Sequence, residues 1–202
     1  MTEAPISMGR RERNKRAKLE RIVAAASTLF AAHGADDVTT QQIADAADIG
    51  TGTLFLYAKT KGELLLLVQN AHYEEALERG RAAADGIGDP VDALMAVIRP
   101  VVECNRVQVD NGRTYLREMV FGDPTEPRHA EALEIALRTE SALAAVIARR
   151  PEISEADAAV LARVVSSVMF LTMAAGVNAT ADTETLLADI RTQISVLTRR
   201  GE

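Results

Sequence analysis

The amino-acid sequence predicts an all-α protein of about nine helices. Ala and Leu are abundant and only six of the 202 residues are Pro, a composition that favours helix throughout. No segment between turn signals shows sustained alternation of apolar and polar residues, so we expect no β-strands. Hydrophobic residues make up 48% of the chain but aromatic residues only 3%, which predicts a core of aliphatic side chains.

The first predicted helix covers about residues 14–33. Apolar residues recur on one face of it at the i, i+3, i+4 spacing of an amphipathic helix: Leu19, Ile22, Val23, Ala26, Leu29 and Phe30. Gly34 follows directly and is suited to end the helix.

A short second helix is predicted from Thr39 to about Ala47. Thr39 can cap it, and Gln42 stands three residues later, where its side chain can reach back to complete a capping box. Val38 and Ile43 have the spacing of a hydrophobic staple around that cap.

A tight turn and a third short helix are predicted next. Asp48 can supply the left-handed residue that such a turn often needs, and Gly50 can cap a helix over residues 51–57. Thr60 and Glu63 form another capping box that starts a fourth helix. Two short helices joined in this way form a helix-turn-helix, whose second helix enters the DNA major groove.

The fourth helix is predicted to run from Lys61 to about Ala84 without a Gly/Ser/Pro-rich linker. It would therefore join an N-terminal domain, residues 1–65, directly to a C-terminal domain, residues 66–202. Five more helices are predicted in the C-terminal domain: one after Pro90, then about 112–121, 128–149, 155–177 and 183–199. The apolar stripe of the 128–149 helix is predicted to be Leu133, Ala136, Leu137, Ala144 and Ile147.

The helix near residues 158–177 carries one charged residue, Arg163. Its length and apolar character suit either a membrane span or a helix buried on both faces. Arg163, Ser166 and Thr172, together with the apolar face of the following helix, favour the second interpretation and no membrane association. One face would cover the core, and the other would meet a partner subunit in a homodimer.

The net charge of −6 argues against nucleic-acid binding, but the charge distribution argues for it. Residues 1–70 carry nine Lys and Arg against eight Asp and Glu, whereas residues 71–202 carry fourteen against twenty-one. Residues 8–21 hold seven basic and two acidic residues. This run could be a solvated tail, but beside a helix-turn-helix it favours a segment that meets phosphate.

One dense motif covers the helix-turn-helix. It comprises Thr39, Thr40, Ile43, Ala44, Ala47, Ile49, Gly52, Thr53, Leu54, Phe55, Tyr57, Lys59, Lys61, Glu63 and Leu64, after Leu29-Phe30-Ala31-Ala32-His33-Gly34. With these residues, about 19–65 strongly resemble the TetR family of bacterial repressors. Three positions depart from the family pattern: Asp48 stands where Gly is usual, Gly50 where Ser is frequent, and Ala58 where an aromatic commonly follows the Tyr.

The resemblance implies which residues contact double-stranded DNA. Bases or the groove floor would be faced by Thr51, Gly52, Phe55, Tyr57 and, from the preceding helix, Gln41; phosphates would be contacted by Thr40, Thr53, Tyr57 and Lys61. Leu54 would pack inward. Because Ala58 removes packing volume, a tilted helix could instead bring Leu56 to the bases. The family likeness also implies a dimer interface of four helices, the last two of each subunit.

A small-molecule effector site is expected in the C-terminal domain. The candidate residues are polar or adaptable side chains on apolar stripes, although each is also compatible with a plain core position: Asn105, Tyr115, Arg117, Glu140, Met169, Phe170 and Met173, with Arg99 and His72 as weaker candidates. Leu, Val, Met and Phe faces predict a mainly apolar effector. Cys104, the single cysteine, is expected to be an inert thiol rather than a redox switch.

No catalytic site, cofactor or metal is expected. The sequence has no phosphate-cradling Gly loop, no Gly-x-Ser-x-Gly elbow and no paired-His motif, and its three His are scattered. With one cysteine and no apolar signal core behind the N-terminal arginines, a cytoplasmic location is expected.

The resulting hypothesis is a dimeric, ligand-responsive repressor that an effector releases from a palindromic operator. Within DNA binding, the alternative is a constitutive repressor or an activator without an effector. The alternative from another class is a small-molecule binding protein or enzyme with an incidental helix-turn-helix-like start.

Overall fold

The structure is a computed structural model and describes residues 9–198. Within that range it is all-helical, with no strand, as the sequence predicts. Nine α-helices and one 3₁₀ helix follow one another: α1 (Arg10–His33), α2 (Thr40–Ala46), α3 (Thr51–Leu54), α4 (Lys61–Ala84), α5 (Pro90–Arg106), α6 (Val109–Phe121), α7 (Pro127–Ile147), α8 (Glu155–Ala174), the 3₁₀ helix (Gly176–Asn178) and α9 (Thr183–Thr198). The predicted end of the last helix at residue 199 lies outside the described residues.

The chain divides into two compact units, one on either side of the Val68–Gln69 bond. This division falls inside α4, as does the domain boundary predicted after residue 65. The N-terminal unit has its own core, in which apolar side chains of all four of its helices are fully buried: Ile22, Phe30, Ile43, Leu54 and Leu64.

Several helix boundaries differ from those predicted. α1 begins at Arg10 rather than near residue 14, because the basic run is itself helical. α6 begins at Val109 rather than Gly112, since the Gln108 side chain caps it by accepting from the Asn111 N–H at 2.6 Å. α8 ends at Ala174 rather than Val177, because Ala175 adopts an extended conformation with ψ 130°.

The buried face of α7 is also rotated relative to the predicted stripe. Leu137, expected on the apolar face, is 61% exposed. The positions that pack inward are Ala132, Ile135, Thr139, Leu143, Val146 and Ile147. Thr139 is tolerated there because its hydroxyl donates to the Ile135 carbonyl at 2.9 Å.

Two contacts fix the C-terminal part of α4 within the C-terminal unit. A Cβ atom placed on Gly80 would lie 2.6 Å from the carbonyl oxygen of Val97, so the backbones of α4 and α5 touch there without an intervening side chain. At the end of α4, the Arg149 guanidinium donates to the Ala84 carbonyl at 3.0 Å, which satisfies one of the acceptors that a helix end leaves free.

Candidate nucleic-acid interface

The turn between α2 and α3 is built from local hydrogen bonds and one left-handed residue. The Gln42 N–H donates to Thr39 Oγ1 at 3.2 Å, and Gln42 Oε1 accepts from the Thr39 N–H at 2.8 Å, which confirms the predicted capping box. Asp48 has φ 53°, the left-handed conformation predicted for it. These two features set the direction in which α3 leaves α2.

α3 buries one side chain and presents the others. Leu54 is fully buried, as predicted. Phe55 and Leu56 are exposed, Leu56 at 83%, and Gly52 is exposed with open space where a Cβ would be. The helix itself is a single turn that ends at Leu54, and residues 55–57 continue as a turn rather than as the predicted helix.

Two of the predicted base contacts are hydrogen-bonded to each other. Thr51 Oγ1 donates to Gln41 Oε1 at 2.9 Å. The other end of the same amide, Gln41 Nε2, donates to Asp45 Oδ1 at 2.7 Å. We call Gln41, Asp45 and Thr51 the Gln41 triad. It links α2 to the first residue of α3, and Gln41 and Asp45 are exposed.

The predicted phosphate contacts are all partly exposed. Tyr57 Oη donates to the Lys15 carbonyl of α1 at 3.3 Å, and Lys61 Nζ donates to the Asp36 carbonyl at 2.8 Å. Thr40 and Thr53 are half-exposed. The bonds of Tyr57 and Lys61 go to backbone oxygens and leave the phenol and ammonium groups at the surface of the unit.

The start of α4 differs from the predicted capping box in one respect. Thr60 Oγ1 accepts from the Glu63 N–H at 3.0 Å, as predicted. The Glu63 carboxylate accepts from the Lys59 N–H at 2.8 Å, one residue before the expected partner. Glu63 is buried, so this bond also satisfies a carboxylate that lies away from water.

Ala58, at the position where the family has an aromatic, is buried in the core of the N-terminal unit. Its neighbours in the chain form the turn that follows α3. The small side chain is thus part of the packing that sets the turn, and not a missing surface contact.

The basic run forms the first turns of α1. All residues from Arg10 to Lys18 are exposed. Arg16 pairs with Glu20 at 3.0 Å, and Arg21 reaches Asp48 at 3.4 Å. An exposed basic helix turn next to a helix-turn-helix has the charge needed for contact with phosphates.

A buried polar cluster lies in the C-terminal unit. It consists of Asn70 and Tyr73 of α4, Asn105 of α5 and Tyr115 of α6, all nearly inaccessible. The two Tyr rings stack with centroids 4.4 Å apart. Burial raises the pKa of Tyr73 and that of Tyr115, so both phenols stay neutral.

Hydrogen bonds connect this cluster to the helices around it. Asn105 Nδ2 donates to Tyr73 Oη at 2.5 Å, and Tyr115 Oη donates to Asn70 Oδ1 at 2.9 Å. Asn70 Nδ2 donates to Glu131 Oε2 at 3.0 Å, on α7. Asn105 Oδ1 is buried without a partner among the described residues, a costly arrangement for a polar atom.

The structure brings together some of the predicted effector contacts and separates others. Asn105 and Tyr115 meet through Tyr73, a residue that the sequence analysis missed, although Asn70 and Tyr73 are polar positions one turn apart in an apolar helix. Met169 and Met173 are fully buried and Phe170 is half-buried. Glu140 faces Arg163 at 3.8 Å. Arg117 is exposed beside Glu118.

An open groove of about 550 Å³ lies between the end of α4, α5 and α9. Two ion pairs cross it, Arg99 to Glu184 at 2.5 Å and Arg191 to Asp92 at 2.6 Å. Apolar side chains form much of its wall: Ala83, Ile87, Met95, Ala96, Leu187 and Ala188. Of its polar residues, the sequence analysis named only Arg99.

Among residues 9–198, no group of three or more His, Cys, Asp or Glu side chains has a geometry that could hold a metal ion. One described helix, α8, is long and apolar enough to cross a membrane by length and composition.

Comparison with known proteins identifies the helix-turn-helix. Residues 22–68 match the family model described as bacterial regulatory proteins, tetR family. The chain therefore carries a TetR-family domain over these residues. This match confirms the family resemblance and the class of transcriptional regulator inferred from the sequence. A comparison with curated proteins found no match.

Solved structures of TetR-family proteins share the fold over nearly the whole chain. A TetR transcriptional regulator from Rhodococcus sp. RHA1 is 17% identical, with a TM-score of 0.70 over 94% of this chain and 100% of that one. Thermus thermophilus FadR, a TetR-family repressor in complex with lauroyl-CoA, is 22% identical, with a TM-score of 0.69 over 91% and 96% of the two chains. The fatty acid degradation regulator FadR from Bacillus halodurans is 14% identical, with a TM-score of 0.62 over 89% and 99%.

Proposed function

We propose that this TetR-family regulator is a cytoplasmic, homodimeric repressor that a mainly apolar small molecule releases from a near-palindromic operator. The observation that supports DNA binding is the exposed surface of α3 together with the Gln41 triad and the exposed basic turns of α1. The first two lie within residues 22–68, which match the family model, and the basic turns lie directly before them.

The proposed dimer interface is the outer surface of α8 and α9. Val160, Val164 and Leu171 lie on one face of α8 and are 64%, 38% and 72% exposed, while the opposite face is buried in the core. On α9, Val196 and Leu197 are exposed as well. Several exposed large apolar side chains on two adjacent helices are typical of a protein–protein contact. The buried opposite face favours this use of α8 over a membrane span.

The proposed effector site is built around the polar cluster of the C-terminal unit. Asn105 Oδ1 offers an unpaired acceptor there, and the candidate side chains Met169, Phe170 and Met173 provide apolar, adaptable surface. Asn105 and Tyr115 would anchor a polar end, whereas Arg117 and Glu140 would contribute only at the rim. Since the FadR neighbour binds lauroyl-CoA, fatty acyl compounds are the first class of effector to test.

The proposed release mechanism acts through α4. This helix begins at Lys61, close in sequence to α3, and carries Asn70 and Tyr73 of the polar cluster. An effector that displaces these side chains would move α4 and change the separation of the two recognition helices. A dimer reads two half-sites only when they lie about one turn of DNA apart, roughly 34–36 Å.

Selection from a randomised duplex DNA library tests this function, followed by titration of the purified complex with lauroyl-CoA. We expect a near-palindromic site whose affinity falls steeply with salt, and loss of binding as the acyl compound is added. Failure to select any sequence would favour the binding-protein or enzyme alternative. Selection of a site that no acyl compound or other apolar molecule releases would favour a constitutive regulator.

A further inference from the structure

We propose that Asp45 is a positioning residue that fixes the Gln41 amide so that Gln41 reads adenine and rejects guanine. This inference rests on the proposed operator binding. It goes further by assigning a base to one residue and by giving a specificity role to an acidic side chain that the family motif does not include.

The chemistry of the Gln41 triad fixes the direction of the amide. An ionised carboxylate only accepts hydrogen bonds, so Asp45 Oδ1 can pair only with the NH2 end of Gln41, which it does at 2.7 Å. The carbonyl end of the amide is thereby turned towards Thr51, whose hydroxyl donates to Oε1 at 2.9 Å. A flipped amide would place its carbonyl oxygen against the carboxylate and lose the bond to Asp45, and Thr51 Oγ1 would have to accept from the amide nitrogen instead of donating.

These two bonds leave part of the hydrogen-bonding capacity of the Gln41 amide for DNA. A primary amide has two N–H donors and two acceptor lone pairs. Asp45 takes one donor and Thr51 takes one lone pair, so Gln41 keeps one N–H and one lone pair. Gln41 is exposed, and both groups are therefore available to a base edge.

One donor beside one acceptor matches adenine. In the major groove adenine presents the N7 acceptor and the N6 amino donor, whereas guanine presents two acceptors, N7 and O6. Against guanine the fixed Gln41 carbonyl oxygen would face O6, so that two hydrogen-bond acceptors would meet. Without Asp45 the amide could rotate, and this discrimination would be lost while the side chain stayed in place.

Binding-site selection followed by affinity measurements on the selected duplex tests the proposal. For the wild-type protein we expect adenine at one position of each half-site, and replacing that adenine by guanine should weaken binding by about 5- to 150-fold. In Asp45→Ala the two duplexes should bind nearly equally. In Gln41→Ala the preference should be gone, and adding Asp45→Ala to it should have no further effect on the preference.

Asp48→Asn is the matched control, because it removes one negative charge three residues further along the chain and Asn also tolerates a left-handed conformation. It should raise affinity for both duplexes alike and keep the adenine preference. Helical circular dichroism will show that each variant is folded, as expected for exposed positions. Retained discrimination in Asp45→Ala, or specific wild-type binding without this adenine, would overturn the proposal. Failure of the wild-type protein to select any duplex would refute the proposed function itself.

Discussion

Thr51 and Gln41, ten residues apart, share a hydrogen bond of 2.9 Å between the Thr hydroxyl and the Gln carbonyl oxygen. Sequence comparison with the family treats them as separate base contacts from two helices. Because they are joined, a substitution at either position changes the hydrogen-bonding state of the other. The recognition surface is therefore better described as the Gln41 triad plus the exposed apolar side chains Phe55 and Leu56 of the turn after α3.

Thr51→Val tests this coupling. Val keeps the methyl group that can touch a thymine methyl but cannot donate to Gln41 Oε1. We expect a loss of discrimination on the order of 1 kcal/mol at the position read by Gln41, with the salt dependence unchanged. Thr51→Ser, which keeps the hydroxyl, should retain that discrimination. Competition binding with single-base operator variants provides the measurement, and equal behaviour of the two variants would contradict the coupling.

Lys61→Ala should act on affinity and not on base preference. Lys61 Nζ donates to the Asp36 carbonyl and lies at the start of α4, where a phosphate is also favoured. Each Lys that neutralises a phosphate contributes about 0.9 to the slope of log affinity against log salt. Titrations at several salt concentrations should show a slope lower by about two per dimer. A changed base preference would mean that α3 is misplaced in our interpretation.

Leu171→Glu should convert the dimer to monomer. The side chain is 72% exposed in the single chain, and in the proposed interface the substitution would bury an unpaired charge at a cost of about 3–5 kcal/mol. Sedimentation velocity at micromolar concentration measures the outcome. Val107→Glu, at an exposed apolar position outside α8 and α9, is the control and should stay dimeric. A monomeric wild-type protein would refute the interface.

Tyr115→Phe should lower the free energy of unfolding. Without the phenol, Asn70 Oδ1 loses a buried donor, which costs about 1–3 kcal/mol. Thermal unfolding should shift down by roughly 2–4 °C for each kcal/mol. Tyr57→Phe removes the same hydroxyl from a partly exposed bond to Lys15, where water can replace it. It should shift the midpoint much less, and equal shifts would argue against a buried cluster.

Cys104 should be a slow nucleophile. Burial raises the pKa of its thiol to about 11, above an ordinary value of 9.0. The neutral thiol therefore persists through neutral pH, and the thiolate forms only as the pH approaches the raised value. Alkylation by iodoacetamide at pH 8 should be about 100-fold slower in the folded protein than in denaturant. Comparable rates in the two states would reopen a redox role.

Local chemistry made much of the N-terminal unit predictable from sequence. The Thr39–Gln42 capping box and the left-handed Asp48 involve neighbours in the chain, so their outcome depends little on the rest of the fold. Longer-range features were harder to foresee. The bond from Tyr57 to Lys15 spans 42 residues, and nothing in either residue alone signals it.

In the C-terminal unit, the periodicity of apolar residues did not predict every buried position. Ala is abundant along α7, so a shift of its buried face by one or two positions changes the pattern little, and Leu137 was placed inward although it is exposed. The polar cluster was only half foreseen, because its α4 members Asn70 and Tyr73 pair with residues from three later helices. The pattern of apolar and polar residues along one helix does not identify hydrogen-bond partners on other helices.

Gly80 has a mechanical consequence for signalling. Where two helices are separated by side chains, rotamer changes can absorb a small displacement of one without moving the other. At Gly80 the α4 backbone meets the Val97 carbonyl with no room for even a methyl group. No rotamer change can therefore absorb a displacement at this point. We therefore expect a displacement of α4 at this crossing to move α5 directly, since no side chain lies between the two backbones to take it up.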